Sequence, residues 1–230
     1  DRVIAISGAV RTALLQAGVD AQRIRLVPSG VDPARWRVPA AAAEAVRAGW
    51  QVEPQSPLVV HVGVLEGRKG HAVLLEAIER LQPVLPQVRY VFCGEGTARA
   101  ALEATVKARR LPVLFAGFRP DVPACMRAAD LVVLPSLQEG LGVAALEAMA
   151  AERAVVASRV GGLAEVVDHD HTGVLVPPGD SAALAAAIAA LVGNPAQRTR
   201  MGRAGAVRVA ERFSLAAMAA GTLACYEELA

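Results

Sequence analysis

Two stretches of the chain hold residues whose types and spacing could do chemistry. The first is VGVLEGRKGH (62–71), in which Gly63, Gly67 and Gly70 surround Arg68 and Lys69. A glycine-rich turn leaving a strand lets backbone N–H groups approach an anion, and adjacent cations add charge-assisted bonds. It is not a Walker A loop, because no Ser or Thr follows Lys69 and the glycine spacing differs. The second is PSLQEGLGVAALEAMA (135–150), in which two acids, Glu139 and Glu147, have seven residues between them. A helix beginning near Gly142 leaves the amides of Gly140, Leu141 and Gly142 free at its N-terminus, suited to a diphosphate or to sugar oxygens. Glu147 is the only charge in GVAALEAMAA. Its same-face neighbours at i±3 and i±4 are Val143, Ala144, Ala150 and Ala151, small enough to leave space above a carboxylate. A buried unpaired carboxylate is expensive. Glu147 is therefore either an ordinary exposed helix acid or one awaiting a hydroxyl-rich or basic partner, such as a ribose diol.

The elements that must position these loops alternate along the chain. Apolar, β-rich runs at 2–7, 24–29, 58–63, 88–94, 113–117, 131–136, 154–159 and 173–177 read as strands, without the alternation of a half-exposed sheet. Helical patterns fall at about 8–17, 70–82, 97–109, 121–129, 142–152, 162–167, 181–192, 195–212 and 215–229, with Thr97 and Ser181 as expected N-caps. Strand–helix alternation predicts an α/β fold with a doubly wound, parallel, six-stranded sheet over 58–177. In the common order 3-2-1-4-5-6, the first and fourth strands are central neighbours, and ligands bind outside their carboxyl ends. Those strands are 58–63 and 131–136, and their exit loops are the two stretches above. Residues 30–57 carry four prolines and read as a hinge or linker with one helix near 40–49. Residues 1–29 form a separate strand–helix–strand piece, 58–212 the main domain and 213–230 a terminal helix.

Composition narrows the function classes. A formal net charge of +2, with no Lys/Arg run interleaved with aromatics, gives no basis for a nucleic-acid partner or a membrane surface. No apolar run reaches the ~18 residues of a membrane span. Cys93, Cys125 and Cys225 are few and far apart and read as reduced, buried thiols of a cytoplasmic protein. The chain opens at Asp1 without Met and without a signal peptide, a start in mid-pattern.

Taken together, EGLGVAALE (139–147) and its companions resemble the Glu-x7-Glu pattern of the retaining family-four glycosyltransferases with the GT-B fold. DRVIAIS…VPSGVD, HVGVLEGRKGH, CGEGTARAALE, AGFRPDVPACMRAADLVVLPSLQEG, VVASRVGGLAEVVDHDHTGVLVPPGD and ERFSLAAM…YEELA follow that family's order along nearly the whole chain. The resemblance implies the Rossmann-like, nucleotide-sugar-binding half of such an enzyme. Residues 1–29 would then be the tail of the acceptor lobe. By position Glu147 would accept from donor ribose hydroxyls, and catalytic Glu139 would contact sugar hydroxyls. Lys69 would neutralise the diphosphate, and the Gly140–Gly142 amides would hold sugar and phosphate oxygens beside Gly63. The base would sit near Gly94 and Glu95 and the Phe118-Arg119 loop. No metal or cofactor would be required. The implied partners are a nucleotide-sugar donor, an acceptor and an N-terminal lobe in cis or in trans.

Two departures stand out. Val64 occupies a position where the family commonly has a second diphosphate cation, for which Arg68 would substitute. Ser29 stands where the hinge commonly has Asn. The other expectation is a donor-binding module or subunit without activity alone; the Glu-x7-Glu spacing argues against a related 2-epimerase. Several tempting residues read as structural: His169-Asp170-His171 as a polar turn, His61 and His71 as packed or loop histidines, Gly161-Gly162 before Glu165 as a turn, and Arg198, Arg200, Arg203 and Arg208 as a solvated helix face.

Overall fold

The computed structural model describes residues 1–229, and its centre is the six-stranded parallel sheet that the alternation predicts. The strands are β3 (Leu58–Val62), β4 (Arg89–Cys93), β5 (Val113–Gly117), β6 (Leu131–Leu134), β7 (Val155–Ser158) and β8 (Gly173–Val176), ordered β5-β4-β3-β6-β7-β8. Numbered within the sheet, this is the order 3-2-1-4-5-6, so β3 and β6 are neighbours at the switch point.

Helices cover both faces, which explains the unbroken apolar strands. Leu58 and Val60 of β3, Val132 and Leu134 of β6, and Val155 and Ala157 of β7 enter one core. The intervening Val59, Leu131, Val133 and Val156 enter the other. The first core is closed by α2 (Ala40–Gly49), α5 (Val122–Ala128) and α6 (Val143–Ala150). The second is closed by α3 (His71–Leu81), α4 (Arg99–Arg109) and α8 (Ser181–Val192). Each fully buried Leu or Ile side chain contributes roughly 1.5–3 kcal/mol.

The 30–57 stretch contains the expected helix, α2, preceded by a 3-10 turn at Pro33–Trp36. It is more than a tether: Trp36, Ala43, Val46 and Val52 are buried in the first core, and α2 packs on α5. Residues 1–29 form β1 (Val3–Ala5), α1 (Gly8–Gln16) and β2 (Ile24–Leu26), with β1 and β2 paired in parallel. After α7 (Leu163–Val166), α8 and α9 (Pro195–Arg212), helix α10 (Leu215–Glu227) returns to this piece. There Glu228 binds Arg2 and Arg25, and Val31 bridges to Ser214.

Three sequence expectations need correction. Thr97 is not the cap of α4, which begins one residue after Ala98 and has no side-chain cap. Asp180, not Ser181, caps α8, its carboxylate accepting from the amides of Ala182 and Ala183. Asp is as good an N-cap as Ser, and the extended backbone at Asp180 decides between them. The α9 arginines are not merely solvated. Arg198 donates to the carbonyls of Leu191 and Val192 at the end of α8. Arg208 donates to the carbonyls of Glu165 and Val166 at the end of α7. Cations at orphan C-terminal carbonyls are favourable partners.

Candidate functional site

Four loops meet at the carboxyl edge of the sheet, and they are joined where glycines allow backbones to touch. Gly70 closes the β3 exit loop with φ +70, and a Cβ there would lie 1.9 Å from the carbonyl oxygen of Pro135 in the β6 loop. The same two loops are tied by the amide of Leu137 donating to the carbonyl of Arg68 at 2.8 Å. Gly94 binds the β4 loop to the β3 loop in the same way, its Cβ position falling 1.9 Å from the carbonyl oxygen of Gly63. The β7 loop joins through the amide of Gly162, which donates to the carbonyl of Gly140 at 3.1 Å. Close backbone approach, not turn geometry alone, therefore accounts for Gly161-Gly162.

The predicted charges converge on the β3–β6 junction. Lys69 Nζ donates to Glu139 Oε2 at 2.5 Å, with the two side chains only 16% and 15% exposed. Ser136 Oγ lies 3.4 Å from the same oxygen. Helix α6 starts here one residue later than expected, at Val143, with Gly142 as cap in the left-handed region. Among the described residues the amides of Gly140, Leu141, Gly142, Val143 and Ala144 donate to no other group. The free donors thus extend two residues beyond the predicted three. The side chain of Leu141 is in the core, so only its backbone is available.

Glu147 is half-buried, and none of the described residues hydrogen-bonds its carboxylate. Burial pushes its pKa up to about 7, against a smaller opposing pull from Arg35. The acid is held in place of an apolar residue and lacks an internal partner, an arrangement associated with functional sites.

Beside the junction is a cavity of about 300 Å³, walled by Val62, Gly63, Val64, Cys93, Gly94, Glu95, Phe118, Arg119 and Val122. It brings together five predicted residues: Gly63, Gly94, Glu95, Phe118 and Arg119. Phe118 stands 76% exposed at the rim. Arg119 is pinned by Asp121 through a bidentate pair at 2.8 and 2.7 Å. Glu95 is paired with Arg99. Arg68 is near the surface and pairs with Glu66 at 2.8 Å.

Several participants were missed in the sequence. Asp121, which orients Arg119, was signalled only by its place two residues on. Ser7 Oγ donates to the carbonyl of Gly140 at 2.7 Å, and the amides of Gly8 and Ala9 both donate to the carboxylate of Glu165 at 2.9 Å. Glu165 therefore caps α1 rather than facing the crevice. No local pattern announces contacts across more than a hundred residues. The HDH turn is structural: His169 Nδ1 accepts from the amide of Leu175 at 3.0 Å.

His61 and His71 are both buried beneath the β3 loop, with ring centroids 4.6 Å apart. His71 is thus a core residue at the start of α3. His61 Nδ1 donates to the carbonyl of Val133 at 2.9 Å. Burial, then the neighbouring His71, pushes His61 down to about 3. Burial pushes His71 down to about 4. Both stay neutral in the folded chain while the unfolded chain protonates near pH 6.5. Stability must therefore fall as pH drops from about 6.5 toward 4. His61→Phe is expected to remove roughly 1 kcal/mol of the fall between pH 6.5 and 5.5 in urea unfolding. An unchanged slope would show that His61 does not carry it.

Comparison with known proteins matches this architecture. Residues 43–208 match the family model described as glycosyl transferases group 1. The chain belongs to that family, and its fold is that of part of the GT-B glycosyltransferases. It is 37% identical over 220 residues to a D-inositol 3-phosphate glycosyltransferase of Pseudarthrobacter chlorophenolicus, covering 91% of this chain and 51% of that one. It is 35% identical over 249 residues to an alpha-maltose-1-phosphate synthase of Mycolicibacterium smegmatis, covering 100% and 63%. Among solved structures, Anabaena Alr3699/HepE in complex with UDP superposes with a TM-score of 0.90 at 29% identity, covering 97% of this chain and 63% of that one. The chain thus spans between half and two thirds of these relatives' lengths.

Proposed function

We propose that this chain binds a nucleotide-diphosphate sugar at the β3–β6 junction and supports retaining transfer of the sugar to an acceptor held by an N-terminal lobe. The observation that carries this reading is the meeting of the Lys69–Glu139 pair with a row of free amides at the start of α6, next to a half-buried, unpartnered Glu147. A diphosphate needs cations and N–H donors, and a sugar and a ribose need carboxylate acceptors; the junction supplies all of them. On leaving, the nucleoside diphosphate carries negative charge, which Lys69 and the α6 amides stabilise electrostatically with no metal required. The neighbouring cavity takes the base between Phe118, Arg119 and the Gly94–Glu95 turn. The relatives named for glycosyl transfer and the UDP bound in the HepE structure support the donor class.

Calorimetric titration with UDP tests the reading in the presence of EDTA. Saturable binding that persists without metal is expected; no binding to UDP, GDP or ADP would overturn it. Arg68 provides a finer test, because it is the cation proposed to stand in for the one absent at Val64. Its pairing with Glu66 in solvent makes its share small. Arg68→Ala is expected to weaken nucleoside diphosphate binding by about 0.5–1 kcal/mol and nucleoside binding not at all. Equal effects on the two ligands would remove Arg68 from the diphosphate site.

A further inference from the structure

The opposite edge of the sheet holds a second concentration of charge. Asp130 and Ala154 stand immediately before β6 and β7, so the cavity they line opens at the amino ends of the strands. A strand of four residues, roughly 13 Å long, separates it from the β3–β6 junction. The cavity measures about 340 Å³ and is walled by α5, the turn after α6, and α9. Arg127, Arg153, Arg198 and Arg203 line it, together with the acids Asp130 and Glu152.

Both acids are already engaged. Asp130 faces Arg47 at 3.2 Å and Arg198 at 3.8 Å, and it accepts from the amide of Leu58 at 2.8 Å. Glu152 faces Arg127 at 3.5 Å. Five guanidinium groups therefore share two carboxylates, which leaves three positive charges unmatched. Among the described residues, Arg153 and Arg203 pair with no carboxylate. Arg153 is partly buried, and it donates from Nε to the carbonyl of Ala151 at 3.1 Å and from one terminal nitrogen to that of Ala129 at 3.3 Å. Its other terminal nitrogen donates to no described group. Carbonyls orient a guanidinium without neutralising it. Burial, then the neighbouring Arg127, holds Arg153 below its ordinary pKa, the mark of a cation short of counter-charge. Arg198, only 12% exposed, is likewise fixed by carbonyls. The turn that carries Arg153 is held against α9, because a Cβ at Gly202 would lie 2.1 Å from the carbonyl oxygen of Glu152.

We propose that this cavity is a binding site for a small phosphate monoester, separate from the nucleotide-sugar site. Guanidinium forks grip phosphate oxygens in pairs, and the surplus positive charge matches a dianion. Half-buried like charges in one cleft cost stability unless an anion joins them. The volume lies at the low end of the about 300–1,000 Å³ of small-molecule sites, more than a free phosphate fills. Glu152, half exposed, is free to accept from hydroxyls on the body of the ester. The ligand is therefore a phosphorylated sugar or polyol. A nucleic acid backbone calls for a continuous basic surface, whereas this charge sits in a concavity.

Calorimetry at fixed ionic strength tests the site with glucose 6-phosphate, glucose and inorganic phosphate. Saturable binding of the ester is expected, with no binding of glucose and several-fold weaker binding of inorganic phosphate. Arg203 is exposed and makes no hydrogen bond to the described residues, so Arg203→Ala should leave the fold intact. It should weaken the ester about tenfold, the loss of one charged hydrogen bond. Arg153→Lys keeps the charge, loses the fork and should weaken the ester to a similar degree. The double variant Lys69→Ala, Glu139→Gln alters the β3–β6 junction and should leave affinity for the ester unchanged. Three results would overturn the proposal: no binding of the ester, inorganic phosphate binding as tightly as the ester, or a loss in the junction variant that Arg203→Ala does not produce. No arm uses UDP, so failure here leaves the nucleotide-sugar reading standing, and failure of that reading leaves this site standing.

Discussion

Replacing Glu147 by Gln is expected to make the unliganded protein more stable and the nucleotide complex weaker at pH 8. The stability side follows from the pKa of about 7, raised by burial from an ordinary carboxylate value. Below about pH 4.5 the acid is protonated in both folded and unfolded chains and costs nothing. Between about 4.5 and 7 the unfolded chain gives up its proton and the folded chain resists, so stability is lost as pH rises. Above 7 the loss is complete. The full shift corresponds to about 3 kcal/mol, and solvent screening at a half-buried side chain reduces this to about 1–2 kcal/mol. Glu147→Gln removes the loss, so its melting temperature should exceed the parent's above pH 7 and converge with it near pH 4.5. The binding side has the opposite sign. A carboxylate accepting from ribose hydroxyls contributes about 1–3 kcal/mol, which the amide largely forfeits. Parent affinity for UDP should rise as pH passes 7, and the variant's should not. Equal affinities by calorimetry would remove Glu147 from the ribose site, whatever the melting data show.

Lys69→Ala is the second large effect. The substitution removes the cation proposed for the diphosphate, so affinity for UDP should fall by about 2–3 kcal/mol while affinity for uridine stays put. It also strands Glu139, whose carboxylate is 15% exposed and is left with only Ser136 Oγ at 3.4 Å. Breaking a largely buried pair from one side costs about 3 kcal/mol of stability. The double variant Lys69→Ala, Glu139→Gln separates the two effects. It should recover most of the stability and none of the UDP affinity. If it recovers affinity as well, Lys69 acts only by holding Glu139, and the direct diphosphate contact is wrong.

The sheet was legible in the chain because its information is local. Each strand is a short, continuous apolar run, and the runs alternate with helices at regular spacing. The switch point between β3 and β6 followed from strand order alone, and the two loops with unusual chemistry were those at that point. Local signals also had limits. Asp180 and Ser181 are both good caps, and only the backbone angles choose. Glu165 read only as the residue after a glycine turn, and nothing local announced that its carboxylate is taken by the amides of Gly8 and Ala9, about 156 positions away. Arg198 and Arg208 looked like surface charge because nothing in α9 records which carbonyls lie beneath it. The small neighbours of Glu147 left open whether it is exposed or buried, and the structure makes it half-buried. Whether a protein group partners its carboxylate was equally open, because that depends on every chain segment that passes nearby.

The glycine contacts at Gly70, Gly94 and Gly162 have a consequence for how a ligand arrives. Each places one loop's backbone against another's with no side chain between them, so the four loops move as one body or not at all. A crevice built this way has its amides aimed before the ligand comes, and little chain entropy remains to be lost on binding. Association should therefore be a single-step process whose rate rises linearly with nucleotide concentration in stopped flow, without the plateau that a slow loop closure imposes. What freedom the crevice has resides in side chains, chiefly the exposed ring of Phe118. Changes in base preference should accordingly come from substitutions there, with the backbone floor left as it is.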